Sequence, residues 1–176
     1  MADTIPDLVS SDTTVDSSTW LKAAQQSVRS YCGWHIAPNI IQTLKLDSYG
    51  ARTLLLPSMH VTDISSLLVN GAEMKDSIDW SAAGTVRLRD GYFPDCPGAV
   101  QVTLSHGFDV NEVADVTSLI LKLAQRGSTG PGVIGSQSTN GSSVTFITAG
   151  GAPLSIPLLQ IEKDALEPYR LTWGVS

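Results

Sequence analysis

The chain has 176 residues, 42% of them hydrophobic, and a formal net charge of -6, so it is long enough to bury a core of its own. The acidic balance excludes a protein that grips nucleic-acid phosphates through a broad basic face, and no apolar run reaches the length of a membrane span. Two cysteines, Cys32 and Cys96, make no disulfide framework, so free thiols in a reducing compartment are expected.

Residues 1–17 are polar and rich in Ser and Thr, and Asp3, Asp7, Asp12 and Asp16 meet no basic residue before Lys22. The stretch lacks the apolar region of a signal peptide and reads as an acidic, flexible arm. From about Ser18 the spacing turns helical, with Leu21, Ala24, Val28 and Tyr31 on one stripe. Gly33 supplies the left-handed residue that ends many helices, and Pro38 blocks any continuation. Trp34 and Ile36 follow that glycine at once, so Tyr31, Gly33, Trp34 and Ile36 are expected to join the helix to what comes next.

What comes next reads as β-structure. Ile40, Leu44 and Leu46 share one parity; Asp47 to Gly50 is turn-like, and a short strand over Arg52 to Leu56 stops at Pro57. Val61 to Val69 forms a longer strand, Asn70-Gly71 is a strong two-residue hairpin signal, and the return strand is expected over Glu73 to Trp80. Val86 and Leu88 alternate with Arg87 and Arg89. A loop with Gly and Pro punctuation covers Asp90 to Gly98. Val100, Val102 and Leu104 then alternate with Gln101, Thr103 and Ser105, the cleanest strand of the chain. Sequential strands with tight turns predict an antiparallel meander or small barrel. A second long helix follows, with Asp109 and Glu112 at capping-box spacing. Val113, Val116, Leu119, Ile120 and Leu123 form its apolar stripe.

From Gly127 to Ile161 there is no charged residue. The segment is Gly- and Ser-rich at first but carries Val144, Phe146 and Ile147, so it is expected to lie against a surface, a neighbouring subunit being the candidate. A short helix around Leu158 to Leu166 ends before Pro168. The fold class is therefore α+β, organised as an acidic arm (1–17), a helix–β–helix core (18–126), and an uncharged extended arm with a short helix and tail (127–176).

Chemistry-bearing patterns are sparse. Gly130-Pro131-Gly132-Val133-Ile134-Gly135 matches the dinucleotide pattern literally. It follows a helix rather than a strand and meets no acid before Glu162, so it reads as a loop. Cys32, His35, Cys96 and His106 offer a zinc alternative and with it a small metal-dependent enzyme, but only Cys32 and His35 are closely spaced. Asp109, Glu112 and Asp115 are accounted for by helix capping and dipole. No nucleophile motif supports a catalytic residue, and no cofactor is expected. At the C-terminus, Pro168, Tyr169, Arg170, Leu171 and Trp173 place large aromatics beside an arginine, the composition of a docking anchor; packing back on the chain's own domain is the competing reading.

Several stretches also resemble the head-to-tail connector (adaptor) proteins of long-tailed bacteriophages, especially those of actinobacterial hosts. They are the helix running into Tyr31-Cys32-Gly33-Trp34-His35-Ile36-Ala37-Pro38, then Leu56-Pro57-Ser58, Val61-Thr62-Asp63-Ile64 with Val69-Asn70-Gly71, Ser105-His106-Gly107-Phe108, and Pro168-Tyr169-Arg170-Leu171. The resemblance implies a non-enzymatic virion protein assembled in the host cytoplasm. It implies a ring, a dodecamer, docked beneath the portal protein and meeting the next connector or stopper protein. DNA would pass through its channel without sequence-specific binding. A stopper or tail-completion protein is the neighbouring alternative.

Overall fold

The carboxylate of Asp16 starts the first helix. It accepts the Thr19 N–H at 2.9 Å and the Ser18 and Thr19 hydroxyls at 2.8 and 3.0 Å, which makes Asp16 the N-cap of α1 (Ser17–Cys32). These bonds, the backbone one first, hold its carboxyl down at about 2. Ala24, Val28 and Cys32 are the buried residues of α1, spaced four apart as one helical face requires.

This computed structural model describes residues 16–128 and 158–173, and the backbone alone of four short strands between them. The expected arm over 1–15, the loop over 130–135, Phe146 and Ile147 lie outside the described residues, as does the side chain of Val144. The chain forms two compact units, Met1–Gln26 with Ile120–Pro157 and Ser27–Leu119 with Leu158–Ser176.

The second of these units contains two antiparallel sheets. Its strands are β1 (Ile40–Tyr49), β2 (Thr53–Leu55), β3 (Val61–Val69), β4 (Ala72–Glu73), β5 (Ile78–Trp80), β6 (Thr85–Leu88) and β7 (Asp95–His106). One sheet has the order β1-β7-β3-β4 and the other β2-β6-β5. Every pair is antiparallel, as expected, and the sheets are open rather than closed into a barrel. The expected hairpin is present: Asn70 and Gly71 connect Val69 to its partner Ala72. The return strand is broken, however. After Glu73 a 3-10 turn at Lys75–Ser77 redirects the chain, and Ile78–Trp80 joins the other sheet. β7 also begins earlier than its alternation suggests, at Asp95, because Asp95 and Cys96 pair with Tyr49 and Ser48 beyond a bulge in β7, where Pro97, Gly98 and Ala99 oppose the single Asp47 of β1.

The period-2 pattern decides which face is inside. Val100, Val102 and Leu104 of β7 are fully buried, and with Ile64 and Leu67 of β3 they meet Leu54, Val86, Leu88 and Phe93 in one core shared by the two sheets. The β7 residues of opposite parity face outward, Gln101 being exposed.

Asp109 caps the second helix through both halves of a capping box. Its side chain accepts the Asn111 N–H at 2.8 Å, and its own N–H donates to Glu112 at 2.9 Å. The first turn, Val110–Val113, is 3-10, and α2 (Ala114–Ser128) continues from it. The remaining elements are the ribbon β8 (Ser136–Thr139) with β9 (Ser142–Thr145), the pair β10 (Thr148–Ala149) with β11 (Ala152–Pro153), and α3 (Gln160–Leu166), which runs into a 3-10 turn at Glu167–Tyr169. None of the described helices is long and apolar enough to cross a membrane.

Leu104 is fully buried, so Leu104→Ala should lower the unfolding free energy by about 2–5 kcal/mol. Gln101→Ala, on the outer face of the same strand, should stay within about 0.5 kcal/mol. Urea unfolding of the two variants checks the assignment of faces.

Candidate functional site

Three segments distant in sequence meet at the end of α1. Gly33 leaves the helix at φ 80 and donates its N–H to Arg29 O at 2.8 Å, the geometry of a helix stop. Trp34 and Ile36 are then buried. Ile36 holds φ 63, a left-handed conformation that costs a β-branched residue on the order of 1–2 kcal/mol. Burial of its side chain and a 2.8 Å bond from the Phe108 N–H to its carbonyl hold it there.

The end of β7 supplies the second segment. Gly107, at φ 106, donates to His60 O at 2.8 Å. A Cβ there would stand 2.5 Å from Pro38 O and 2.6 Å from His35 Nε2, so only glycine fits. The His35 and His106 rings meet edge to face at 4.4 Å, Phe108 stacks on His60 at 4.2 Å, and Phe108 also touches Trp34 and Tyr169.

The third segment is the C-terminal tail. Trp34 Nε1 donates to the Tyr169 carbonyl at 2.7 Å. The Tyr169 hydroxyl donates to the Asp115 carboxylate at 3.0 and 3.1 Å. Leu171, itself buried, donates its N–H to Cys32 O at 2.8 Å, and Trp173 Nε1 donates to Leu56 O at 2.9 Å. Arg170 lies over the Tyr31 ring at 5.6 Å, and the Tyr31 hydroxyl reaches Glu167 at 3.2 Å. Among the docking candidates, Tyr169, Leu171 and Trp173 are thus engaged within the chain, while Pro168 and Arg170 are exposed.

The electrostatics suit a packed joint rather than a reacting centre. Burial, with His35 second, pushes His106 down to about 4. Burial also lowers His35, against hydrogen bonds to the Pro38 and His106 backbones. His106 Nε2 faces Gln42 Oε1 at 3.1 Å. Cys32 is buried and pushed up to about 11 by desolvation, so its thiol stays protonated and inert. The zinc alternative fails on geometry. Cys96 and His106 occupy opposite ends of β7, and at roughly 3.3 Å per residue they stand about 30 Å apart. Among the described residues no three His, Cys, Asp or Glu side chains converge on a possible metal position.

No protein-family model matches the sequence, and no curated protein matches it. Solved structures do share its fold. The neck of the native gene transfer agent particle, computed with C12 symmetry, contains a chain that superposes with a TM-score of 0.55 over 90% of this chain and 84% of its own length, at 13% identity. The neck of the empty particle, computed with C6 symmetry, gives 0.54 over 90% and 78%, at 16% identity. The virion of the native particle gives 0.54 over 94% and 83%, at 13% identity. The fold is one found in particle necks.

Within this neck-type fold, sequence reasoning missed the partners of its own candidates. His60, Phe108 and Asp115 complete the joint, and Asp115 accepts the Tyr169 hydroxyl in addition to its place in the first turn of α2. Of these, Phe108 alone carried a signal, as part of Ser105-His106-Gly107-Phe108. A carboxylate that suits a helix start gives no sequence hint of a second role.

Trp34→Phe keeps most of the apolar contact and strands the Tyr169 carbonyl, so it should cost about 1–3 kcal/mol, read by thermal or urea unfolding. Because the fold holds His35 and His106 neutral, the unfolded chain binds protons first. Stability should be full above about pH 6.5 and fall as pH drops from there toward 4. Unfolding free energies at pH 7, 5.5 and 4.5 should show a smaller loss for His106→Gln than for the wild type.

Proposed function

We propose that the chain is a structural protein of a phage-like particle neck: an adaptor that forms a ring beneath the portal, joins head to tail and lets DNA pass. The observation that carries this reading is the shared fold over nine-tenths of the chain with structures from a C12-symmetric neck. The motifs that resemble head-to-tail adaptors support it independently. The ring is taken as a dodecamer, assembled in the host cytoplasm and meeting the next connector protein on its far side. Its role is non-enzymatic, the -6 net charge repelling DNA phosphates so that the duplex slides rather than sticks.

In this reading the tail docks on the portal or on a neighbour through what its intrachain contacts leave outside. Trp34, Leu56, Cys32 and Asp115 fix the tail from within, presenting Pro168 and Arg170 on a rigid backbone. A preorganised arginine loses little entropy on binding. Its partner Glu167, at 3.4 Å with both side chains about half exposed, is a weak surface pair that another acceptor can replace.

The test is capture on immobilised portal protein. The wild-type chain should bind portal alone; binding that requires another connector protein to be in place first would make it a stopper instead. Arg170→Ala should lower capture roughly tenfold with only a small drop in melting temperature, its Tyr31 and Glu167 contacts being exposed. Equal capture would remove the tail from the docking surface.

A further inference from the structure

The two edges of the four-stranded sheet are finished differently. On the β3 side the chain closes its own edge. β4 pairs back, the Met74 N–H reaches Leu67 O at 2.8 Å, and the Val61 N–H reaches Ala82 O at 2.8 Å. The Glu73 carboxylate takes the Leu67 N–H at 2.9 Å and the Ser66 hydroxyl at 2.6 Å. A carboxylate seated on strand N–H groups keeps a further strand away.

On the β1 side no described strand does this. β1 is ten residues long and, among the described residues, pairs with β7 alone, in unbroken register from Ile40 to Leu46. Ile40 to Thr43 are exposed, Ile41 at 76%. Natural edges of this length are guarded by lysine, proline or a bulge. The register shift comes only after Leu46, with its extra residues in β7, and the one lysine, Lys45, lies against Gly98, where a Cβ would meet its Cε at 2.9 Å. The guard covers β7 rather than the edge. An Ile-Ile-Gln-Thr-Leu edge left in this state is a template for another strand.

The chain also contains strands in need of a sheet. β8 and β9 pair with each other and with no third described strand, and a two-stranded ribbon is at best marginally stable alone. The run from Gly127 to Ile161 that contains it has no charge, so laying it on an edge desolvates no ionised group.

We propose that the open edge of β1 receives the β8–β9 ribbon of a second copy of this chain, extending the four-stranded sheet from one subunit into the next. The inference rests on the ring reading above. A closed ring needs two different, complementary patches on every subunit; an edge with no further described strand and a ribbon with no third described strand are such a pair. Main-chain hydrogen bonds supply the affinity, as in other strand additions.

The experiment uses full-length chains with Cys96→Ser, leaving the buried Cys32 in place. One variant carries Thr43→Cys, and the other Ser138→Cys or its cross-strand neighbour Ser143→Cys. Rings assembled from the mixture, with portal where it is needed, are oxidised. A covalent dimer that forms from the mixture and from neither variant alone supports the proposal. A disulfide that closes within one chain carrying both cysteines, at monomer mass, overturns it, as does no crosslink at either ribbon position. Ile41→Lys with Thr43→Lys, both exposed sites, should reduce the ring population at least tenfold while lowering the melting temperature of the chain only slightly, through loss of the exposed 2.9 Å bond between the Thr43 and Thr103 hydroxyls. Rings at the wild-type level would overturn the strand addition and leave the ring reading standing. A wild type that never multimerises, with or without portal, would overturn the ring reading and this inference with it.

Discussion

One indole organises the larger unit. Trp34 sits where α1 has just stopped, and its Nε1–H holds the Tyr169 carbonyl while its ring packs against Phe108 and His35. Burying an aromatic of this size removes on the order of 200 Å² from water, about 5 kcal/mol as an upper estimate. The hydrogen bond adds only about 1 kcal/mol net. Burial therefore supplies the energy, and the bond supplies the address. Because a stranded carbonyl costs more than the bond gains, the tail has one low-energy register on the joint. Leu171 and Trp173 then fall against Cys32 O and Leu56 O.

The same constraint explains the unusual backbone nearby. Ile36 in a left-handed conformation and Gly107 at φ 106 are positions where the chain accepts local cost so that helix end, strand end and tail can converge. The two neutral imidazoles fill the remaining space. They can be neutral there because burial disfavours the charged form of both, with His35 adding to the effect on His106 and Arg29 to the effect on His35. The result is a stiff joint of helix end, strand end and tail.

Much of this was legible in the residues, for identifiable reasons. Ala24 and Val28, the Asp109–Glu112 box, the Asn70-Gly71 turn and the alternation at Val100 to Leu104 are local signals, and each local signal matched its element. Strand order was not legible, because period-2 alternation says which face is buried and nothing about which strand lies alongside. β1 and β7 are neighbours although about fifty residues separate them. Nor was the break at Met74 visible, since Lys75 to Ser77 carries no proline or glycine to mark the switch between sheets. Asp16 read as part of an acidic arm, though it caps α1. The tail was the hardest case. Its aromatic and arginine composition fits both docking outward and packing inward, and the structure divides it, with Tyr169, Leu171 and Trp173 inward and Pro168 and Arg170 exposed.

In the proposed function, a neck protein needs a rigid body, a charge that does not trap DNA, and paired surfaces for its neighbours. The joint at Trp34, the acidic composition and the asymmetric edges of the sheet are the features proposed to meet those needs in turn. The most direct test of the account is imaging of purified portal incubated with the wild-type chain, with the copies per ring counted from the symmetry of the averaged particles. The account predicts a closed twelve-fold ring of this chain, as in the C12-symmetric neck that shares its fold, on one face of the portal. Portal particles with no added ring density, or with one copy bound at the axis, would contradict it.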